Sequence, residues 1–382
     1  MKTNTRKTAY ELLRKMEKGA YSSLILNNEL KKQSLDERDK AFTTMLFYGV
    51  IERRITLDYI IASFTKTKPE QDIAVLLRMG LYQIIYMDSV PESAAVHETV
   101  ELSPKRAKSF VNAVLRNFLR KNTDCYTGEN CVLPLWIKYS CPEWLVKKWQ
   151  EEYGEQATLQ ILETSLLPPP QFVVTGKNHV GENCVLPPTQ YTQDLSSQQA
   201  CELLNPQPGE TVIDLCAAPG GKSFTIAGLM NNTGRIISCD IHEKKLKLIE
   251  QGATRLGISI IEVHKNDARV YNPDFPKADR VLCDVPCSGL GVIRRKPEIK
   301  YKPEADFIRL PEIQGEILQT GSRYVKDKGV LMYSTCTLSK RENDDVIENF
   351  LKNNRFDLSE KRTVIPSEDG GDGFFTAVMV RK

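Results

Sequence analysis

Two cysteines follow apolar runs that have the length and composition of β-strands. Cys287 comes just after the run Arg280–Asp284, and Cys336 comes just after Val330–Ser334. A single thiol after a buried strand is usually only a small core residue. Two of them, one in an Asp-x-Pro-Cys turn and one in a Thr-Cys turn, favour a chemical role.

A thiol pair suits methyl transfer to carbon 5 of a cytosine. That carbon is a poor nucleophile until a thiolate adds to carbon 6 and makes it enamine-like. The attacking thiol needs a lowered pKa, which a cationic sulfonium and Lys222 would both favour. The other thiol can assist proton removal or release of the product, and Asp284 can hydrogen-bond the amino edge of the base.

A glycine-rich turn, Cys216–Lys222, lies between a predicted strand, Thr211–Leu215, and a predicted helix. Glycines let the backbone approach a ligand closely, and a helix N-terminus offers unpaired N–H groups. The spacings GxGxxG and GxxxxGK[ST] are both absent, which argues against nicotinamide and nucleoside triphosphate cofactors. The alternative is a tight turn without a ligand.

Acidic residues end or follow four successive predicted strands. Asp214 and Asp240 end the first two, Asp267 follows the third and Asp284 ends the fourth. Asp240 is placed to accept hydrogen bonds from ribose hydroxyls, and Asp267 to bind an adenine amino group. One such acid alone would be read as a helix N-cap.

The elements that carry these residues alternate between strand and helix from residue 192 onward. This alternation predicts a parallel, doubly wound sheet with ligands at the carboxyl ends of its strands. Residues before about 125 show only helical spacing of apolar side chains, which predicts a helical bundle. Between the helical region and the alternating region, Pro, Asn and Gly become frequent. We therefore expect three segments, 1–125, 126–190 and 191–382.

The charge distribution is uneven. The chain carries a net charge of +3, and residues 1–125 hold 21 Lys and Arg against 15 Asp and Glu. A basic N-terminal part suits an RNA partner, although a solvated helical surface gives the same pattern.

Other classes of protein are disfavoured by what the sequence lacks. No apolar stretch reaches the about 18 residues of a membrane span, and no signal peptide is evident. The ten cysteines form no CxxC pair and the four histidines are scattered, so we expect cytoplasmic thiols and no metal site.

At these residues the sequence resembles a bacterial family of 16S ribosomal RNA cytosine-C5 methyltransferases, known as RsmB, Sun or Fmu. The resemblance covers nearly the whole chain. Its motifs are Gln193–Gln198, Cys216–Lys222, Asp284–Ser288, Gly291–Arg295, Tyr333–Thr337 and Asp372–Phe375.

The resemblance implies a Rossmann-like methyltransferase domain over 191–382 with a C-terminal antiparallel strand. It implies S-adenosyl-L-methionine as the cofactor, Cys336 as the nucleophile and Cys287 as the residue that aids product release, with Asp284 also in the catalytic site. The cofactor residues that it implies are Cys216, Ala217, Ala218, Pro219, Gly220, Gly221, Lys222, Asp240, Asp267 and Asp284.

The N-terminal segment resembles the NusB-like RNA-binding domain of the same enzymes, through Ala94–Leu102 and Phe110–Arg116. We expect 16S rRNA, free or partly assembled, as the partner of a monomeric protein. The residues predicted to contact RNA are Arg53, Arg54, Lys105, Arg106 and Arg116, with Arg294 and Arg295 beside a flipped base.

The chain departs from the family at Phe172–Thr175, where an Arg-Val-Asn strand is usual, and the stretch from there to Gln193 is short. A small RNA-contacting subdomain within 126–190 is therefore expected to be reduced. Two alternatives stay open: methylation of a cytosine in another rRNA or in tRNA, or an RNA-binding or antitermination factor with a vestigial enzyme half.

Overall fold

The computed structural model describes residues 5–17, 22–32, 35–121, 126, 132–175, 178–180 and 190–382. The chain forms two compact units. One is Met1–Lys148 with Lys296–Tyr301, and the other is Trp149–Arg295 with Lys302–Lys382. The predicted middle segment, 126–190, is thus divided between the two units, and its residues 181–189 lie outside the described part.

All the regular elements described in the first unit are helices, as predicted. Its apolar core is built from α1, α3, α4, α5 and α7, and α5 is buried along most of its length. The helices of this unit are α1 Thr5–Met16, α2 Ser22–Lys32, α3 Glu37–Glu52, α4 Arg54–Phe64, α5 Gln71–Tyr86, α6 Glu92–Leu102, α7 Lys108–Arg120 and α8 Leu135–Lys138.

A short segment from late in the chain, Lys296–Tyr301, belongs to this helical unit. Lys300 is buried, and its Nζ donates to the carbonyl of Glu52 at 2.9 Å. The hydroxyl of Tyr301 donates to the carbonyl of Ile51 at 2.7 Å. The sequence did not predict this placement, because nothing local distinguishes the segment from a surface loop.

The second unit is built on a seven-stranded sheet in the order β6-β5-β4-β7-β8-β10-β9. Strands β4 to β8 are parallel, and β10 runs antiparallel to both β8 and β9. The strands are β4 Thr211–Asp214, β5 Arg235–Asp240, β6 Ile261–Lys265, β7 Ala278–Asp284, β8 Val325–Thr335, β9 Phe356–Val364 and β10 Phe374–Arg381. The predicted doubly wound sheet and C-terminal antiparallel pairing are confirmed.

The strand order reverses beside β4, because β5 and β6 extend the sheet on one side and β7 and β8 extend it on the other. Ligands of such sheets bind outside the carboxyl ends of the strands at this switch point. The helices of the unit are α9 Glu143–Thr164, which begins in the first unit, α10 Leu195–Leu204, α11 Gly221–Leu229, α12 Glu243–Leu256, α13 Leu310–Ser322 and α14 Asp344–Asn353.

A small antiparallel sheet precedes α10. Its strands are β1 Val173–Thr175, β2 Asn178–Val180 and β3 Tyr191–Thr192, with β1 in the centre. This sheet occupies the region in which a reduced subdomain was expected.

Candidate active site

The two predicted cysteines meet at the carboxyl edge of the large sheet. β7 and β8 are neighbouring parallel strands in which Asp284 is paired with Ser334. Cys287 follows β7 and Cys336 follows β8, and their Sγ atoms are 3.3 Å apart. This distance allows one thiol to donate a hydrogen bond to the other.

The two sulfurs are not equivalent. The hydrogen bond to Cys336, together with burial, raises the pKa of Cys287 well above its usual value. The charge of Glu342 acts in the same direction. These neighbours therefore disfavour negative charge on the sulfur of Cys287.

Asp284 links the end of β7 to the glycine-rich turn. Its Oδ2 accepts a hydrogen bond from Nζ of Lys222 at 2.7 Å, and its Oδ1 accepts one from Oγ of Ser334 at 2.8 Å. Burial alone would lower the pKa of Lys222, but the Asp284 carboxylate outweighs burial and raises it. Lys222 is thus a fixed cation, and the negative charge of Cys336 acts on it as well.

The turn Cys216–Lys222 runs from β4 into α11, as predicted. Gly220 has a φ of +116°, and a Cβ atom built there would lie 2.4 Å from the ring of Phe224. Only glycine fits this position, because the backbone is left-handed and the space is filled. Gly221 begins α11, so the first N–H groups of that helix point toward the carboxyl edge of the sheet.

Two buried polar atoms beside this turn have no hydrogen-bond partner among the described residues. They are Oδ1 of Asp214, an acceptor, and Nε2 of Gln193, a donor. Burial is the largest influence on Asp214 and raises its pKa to about 7, although a hydrogen bond from Ser223 partly offsets it. Unpaired buried groups are costly, so this pair fits a ligand that brings both a cation and an acceptor. The amino-acid end of S-adenosylmethionine has both.

The other predicted cofactor acids lie along the same edge. Asp240 ends β5 and is largely buried, and its Oδ1 accepts from the backbone N–H of His242 at 2.8 Å. Asp267 follows β6, and its carboxylate is held by Arg269 at 2.7 and 3.0 Å. The carboxylate of Asp240 has capacity left for a ribose, whereas Asp267 must share its oxygens with Arg269.

The basic residues predicted to contact RNA in the helical unit differ in their surroundings. Arg53 stacks on the ring of Tyr86 at 4.7 Å, and Arg54 pairs with Glu17 at 3.3 Å. The other three are exposed: Arg106 pairs with Glu70, Arg116 donates to Asn112, and Lys105 lies in the turn before α7. Their role stays a prediction, and the exposed three are the better placed to reach a phosphate.

Arg294 and Arg295 occupy positions that were not foreseen. The guanidinium of Arg294 is buried and donates to Asp372 at 2.5 Å and to two backbone carbonyls at 2.7 and 3.0 Å. Arg295 donates to Asp372, to the carbonyl of Pro170 and to Asp194. The donors of Arg294 are occupied inside the fold, whereas Arg295 stays partly exposed; the RNA contact of both residues stays a prediction.

The sequence analysis also missed residues that hold the cysteine turns. Glu342 and Asn343 follow Cys336 by six and seven positions and are buried. Asn343 accepts from Oγ1 of Thr335 at 2.6 Å and donates to the carbonyl of Thr337 at 2.9 Å, on either side of Cys336. A Glu-Asn pair so soon after the Thr-Cys turn is the signal that was available.

Over the described ranges, no group of three or more His, Cys, Asp or Glu side chains is arranged to hold a metal ion. None of the described helices is long and apolar enough to cross a membrane.

Comparison with known proteins gives two family matches along the chain. Residues 201–380 match the family described as 16S rRNA methyltransferase RsmB/F, and residues 3–120 match the NusB family. A relative from Bacillus subtilis strain 168, a probable ribosomal RNA small subunit methyltransferase B, is 38% identical over 100% of this chain and 99% of its own. The chain belongs to the RsmB/F family of rRNA methyltransferases.

Other members of the family are similar over most of their length. A protein from Synechocystis described in the same words is 31% identical over 98% of both chains. The ribosomal RNA small subunit methyltransferase B of an Escherichia coli strain is 30% identical over 92% of both chains. The predicted family, its NusB-like N-terminal part and its activity as an RNA methyltransferase are thereby confirmed.

Solved structures confirm the fold. The crystal structure of PH0851 aligns over 100% of both chains with a TM-score of 0.79 at 23% identity. A methyltransferase homologue from Pyrococcus horikoshii aligns over 65% of this chain and 98% of its own, with a TM-score of 0.56 at 22% identity.

Proposed function

We propose that this RsmB/F member methylates carbon 5 of a cytosine in 16S rRNA, with S-adenosyl-L-methionine as the methyl donor. The observation that carries the proposal is the pair of thiols 3.3 Å apart at the switch-point edge of the sheet. A methyltransferase that acts on a heteroatom of its substrate needs no thiol, because oxygen and nitrogen already carry lone pairs. A nucleophilic thiol is needed when the acceptor is a carbon that must first be activated, and a second thiol beside it can assist release.

The cofactor site is proposed along the carboxyl ends of β4, β5, β6 and β7. When bound there, S-adenosylmethionine supplies a methyl group on a cationic sulfur. Asp214 and Gln193 hold its amino-acid end with their unpaired atoms. Asp240 holds the ribose, and Asp267 binds near the adenine base of the cofactor. The turn Cys216–Lys222 closes on it through backbone N–H groups.

The reaction begins at Cys336. Its thiolate adds to carbon 6 of the cytosine, and the electron pair of the 5,6 double bond moves to carbon 5, which then takes the methyl group. Asp284 holds the amino edge of the base, and its ion pair with Lys222 keeps a positive charge near the attacking sulfur. Transfer of the carbon 5 proton to solvent then regenerates the double bond as the bond between carbon 6 and the Cys336 sulfur breaks, and the sulfur leaves as thiolate.

Cys287 acts in the second half of the reaction. Its raised pKa keeps a proton on its sulfur beside Cys336. A protonated neighbour stabilises the departing Cys336 thiolate by donating a hydrogen bond, so the adduct breaks down faster when Cys287 is present. This is the basis for assigning product release to Cys287.

The choice of 16S rRNA is supported by the names of relatives that align with this chain over nearly its full length. The basic surface of the helical unit, with Lys105, Arg106 and Arg116 exposed, is proposed to attract the phosphates.

The test is transfer of labelled methyl groups from S-adenosylmethionine to unmodified 16S rRNA, followed by nucleoside analysis and mapping. 5-Methylcytidine at one position is the expected result. Transfer to tRNA instead would keep the chemistry and replace the substrate. No transfer to either RNA would reject the proposal and favour a vestigial RNA-binding protein.

A further inference from the structure

A buried carboxylate lies beside the thiol pair and has no place in the reaction described so far. Glu342 is 2% exposed and stands in the turn between β8 and α14. Burying a carboxylate without hydrogen bonds would cost several kcal/mol, so its partners need to be identified.

Its partners on one side belong to the turn that carries Cys287. The backbone N–H of Ser288 donates to Oε2 of Glu342 at 2.9 Å, and the hydroxyl of Ser288 donates to Oε1 at 2.6 Å. Nε2 of Gln314, on α13, donates at 3.0 Å both to Oε2 of Glu342 and to the carbonyl of Pro286. The residues before and after Cys287 are therefore both fixed through Glu342.

On the other side it reaches the turn that carries Cys336. Oγ1 of Thr337 lies 2.6 Å from the hydroxyl oxygen of Ser288 and 3.5 Å from Oε1 of Glu342. The hydroxyls of Ser288 and Thr337 thus join the residue after Cys287 to the residue after Cys336, and the Glu342 carboxylate holds the Ser288 side of that link. The thiol pair is formed by two separate turns, so the distance between its sulfurs depends on such a link.

The partners of the Glu342 carboxylate are all neutral donors, so its negative charge stays close to the thiols. The ionisable groups that face Cys287 are Cys336 and Tyr333 from β8 and its turn, and Glu342. Of the next charged groups, Lys222 lies near Cys336, and Asp284 accepts a hydrogen bond from Ser334. Glu342 disfavours a second negative charge on Cys287 and leaves Cys336 to carry it.

The geometry points to Glu342 as a positioning residue that sets the separation of the two thiols and keeps Cys287 as the hydrogen-bond donor to Cys336. The inference deepens the proposed function and rests on it. It attributes the difference between the nucleophilic and the releasing thiol to Glu342, six positions after Cys336.

The test compares Glu342→Gln with the unchanged full-length enzyme. Glutamine keeps the size of the side chain and can still accept from the Ser288 N–H, but it removes the charge. Alkylation of Cys287 by iodoacetamide, followed at different pH values by peptide mass spectrometry, reports the pKa of that thiol without any RNA. Loss of a nearby negative charge lowers this pKa, so we expect the profile to shift down by about 1 pH unit.

Methyl transfer is measured on the same variant. We expect kcat to fall by about 10-fold or more, because two thiols of similar acidity compete for the negative charge, while the Kd for S-adenosylmethionine stays unchanged. Glu348→Gln, an exposed change on α14, is the matched control and should behave as the unchanged enzyme.

An unshifted alkylation profile would overturn the inference, and a lower melting temperature with that unshifted profile would reduce Glu342 to a structural residue. A shifted profile with full kcat would overturn it as well. If the unchanged enzyme methylates no RNA, the proposed function fails, and the alkylation profile still decides whether Glu342 controls Cys287.

Discussion

The sulfurs of Cys287 and Cys336 lie 3.3 Å apart, and the contact with Cys336, burial and the charge of Glu342 all raise the pKa of Cys287. We propose that these two cysteines, 49 positions apart, have different tasks. The roles can be separated by changing one thiol at a time.

Cys336→Ala is expected to abolish methyl transfer, by about three orders of magnitude or more, because carbon 5 of the base is then never activated. The Kd for S-adenosylmethionine, measured by calorimetry, should be unchanged. Cys141→Ala, a buried thiol of the helical unit, serves as the control for loss of a cysteine. Retained transfer in Cys336→Ala would move the nucleophile elsewhere.

Cys287→Ala is expected to form the adduct and release it slowly. The covalent protein–RNA complex should accumulate in the presence of S-adenosylmethionine and run as a slow band on a denaturing gel. The double variant Cys287→Ala with Cys336→Ala should show no such band. If the single variant turns over without accumulating a complex, Cys287 has no part in release.

Asp240→Ala is expected to weaken S-adenosylmethionine binding by about 10- to 100-fold, because hydrogen bonds to a charged acceptor contribute roughly 1.5–3 kcal/mol. Asp240 also accepts from the N–H of His242, so the melting temperature must be measured with the affinity. Asp274→Ala, at an exposed position, is the control. Equal affinity in both variants would remove Asp240 from the cofactor site.

Asp214 is expected to make stability depend on pH. Burial raises its folded-state pKa to about 7 from a usual value of 3.8, so the stability linked to its protonated form is complete below the usual value and is lost as pH rises through about 7. Asp214→Asn mimics the protonated form and should not lose this stability. Between pH 5 and 7, the free energy of unfolding of the unchanged protein should therefore fall by about 1 kcal/mol per pH unit relative to that of Asp214→Asn.

The measurement is the denaturation midpoint of both proteins at pH 5, 6 and 7 without cofactor. Asp274→Asn is the exposed control. A difference between Asp214→Asn and the unchanged protein that does not grow with pH would contradict the buried, partly protonated carboxyl.

Arg294 is expected to contribute to the stability of the fold, and Lys105 to the binding of RNA. Arg294→Ala leaves the buried Asp372 with one cation fewer and should cost about 3–5 kcal/mol of stability, seen as a lower melting temperature. Lys105→Ala should leave the melting temperature unchanged and reduce the slope of log K against log salt for RNA binding by about 1. A change in that slope for Arg294→Ala without loss of stability would support its predicted RNA contact instead.

The parallel sheet and the position of the cysteines could be predicted from the sequence, because short apolar runs followed by Gly, Pro or Asp mark strand ends, and the ends of parallel strands share one edge. The meeting of Cys287 with Cys336 follows from β7 and β8 being neighbours. The local sequence pattern does not predict contacts between residues that are far apart in the chain. Arg294 looks like a free cation until Asp372, 78 positions away, is placed beside it.

The same limit explains Glu342 and the segment Lys296–Tyr301. Glu342 resembles any charged residue near a helix start, and only the fold brings Ser288 and Gln314 to it. Lys300 is buried in the helical unit although it belongs by sequence to the catalytic half. Long-range hydrogen bonds between charged side chains and neutral groups allow the burial of residues whose type alone predicts exposure.

The central claim, that the Cys336 sulfur attacks carbon 6 of a cytosine, is tested most directly with 16S rRNA in which 5-fluorocytidine replaces cytidine. Fluorine cannot leave as a proton does, so the methylated adduct cannot break down. With S-adenosylmethionine present, the unchanged enzyme should form a stable complex whose mass equals protein, RNA fragment and one methyl group, linked at Cys336. No complex, or a complex linked at Cys287, would contradict the account.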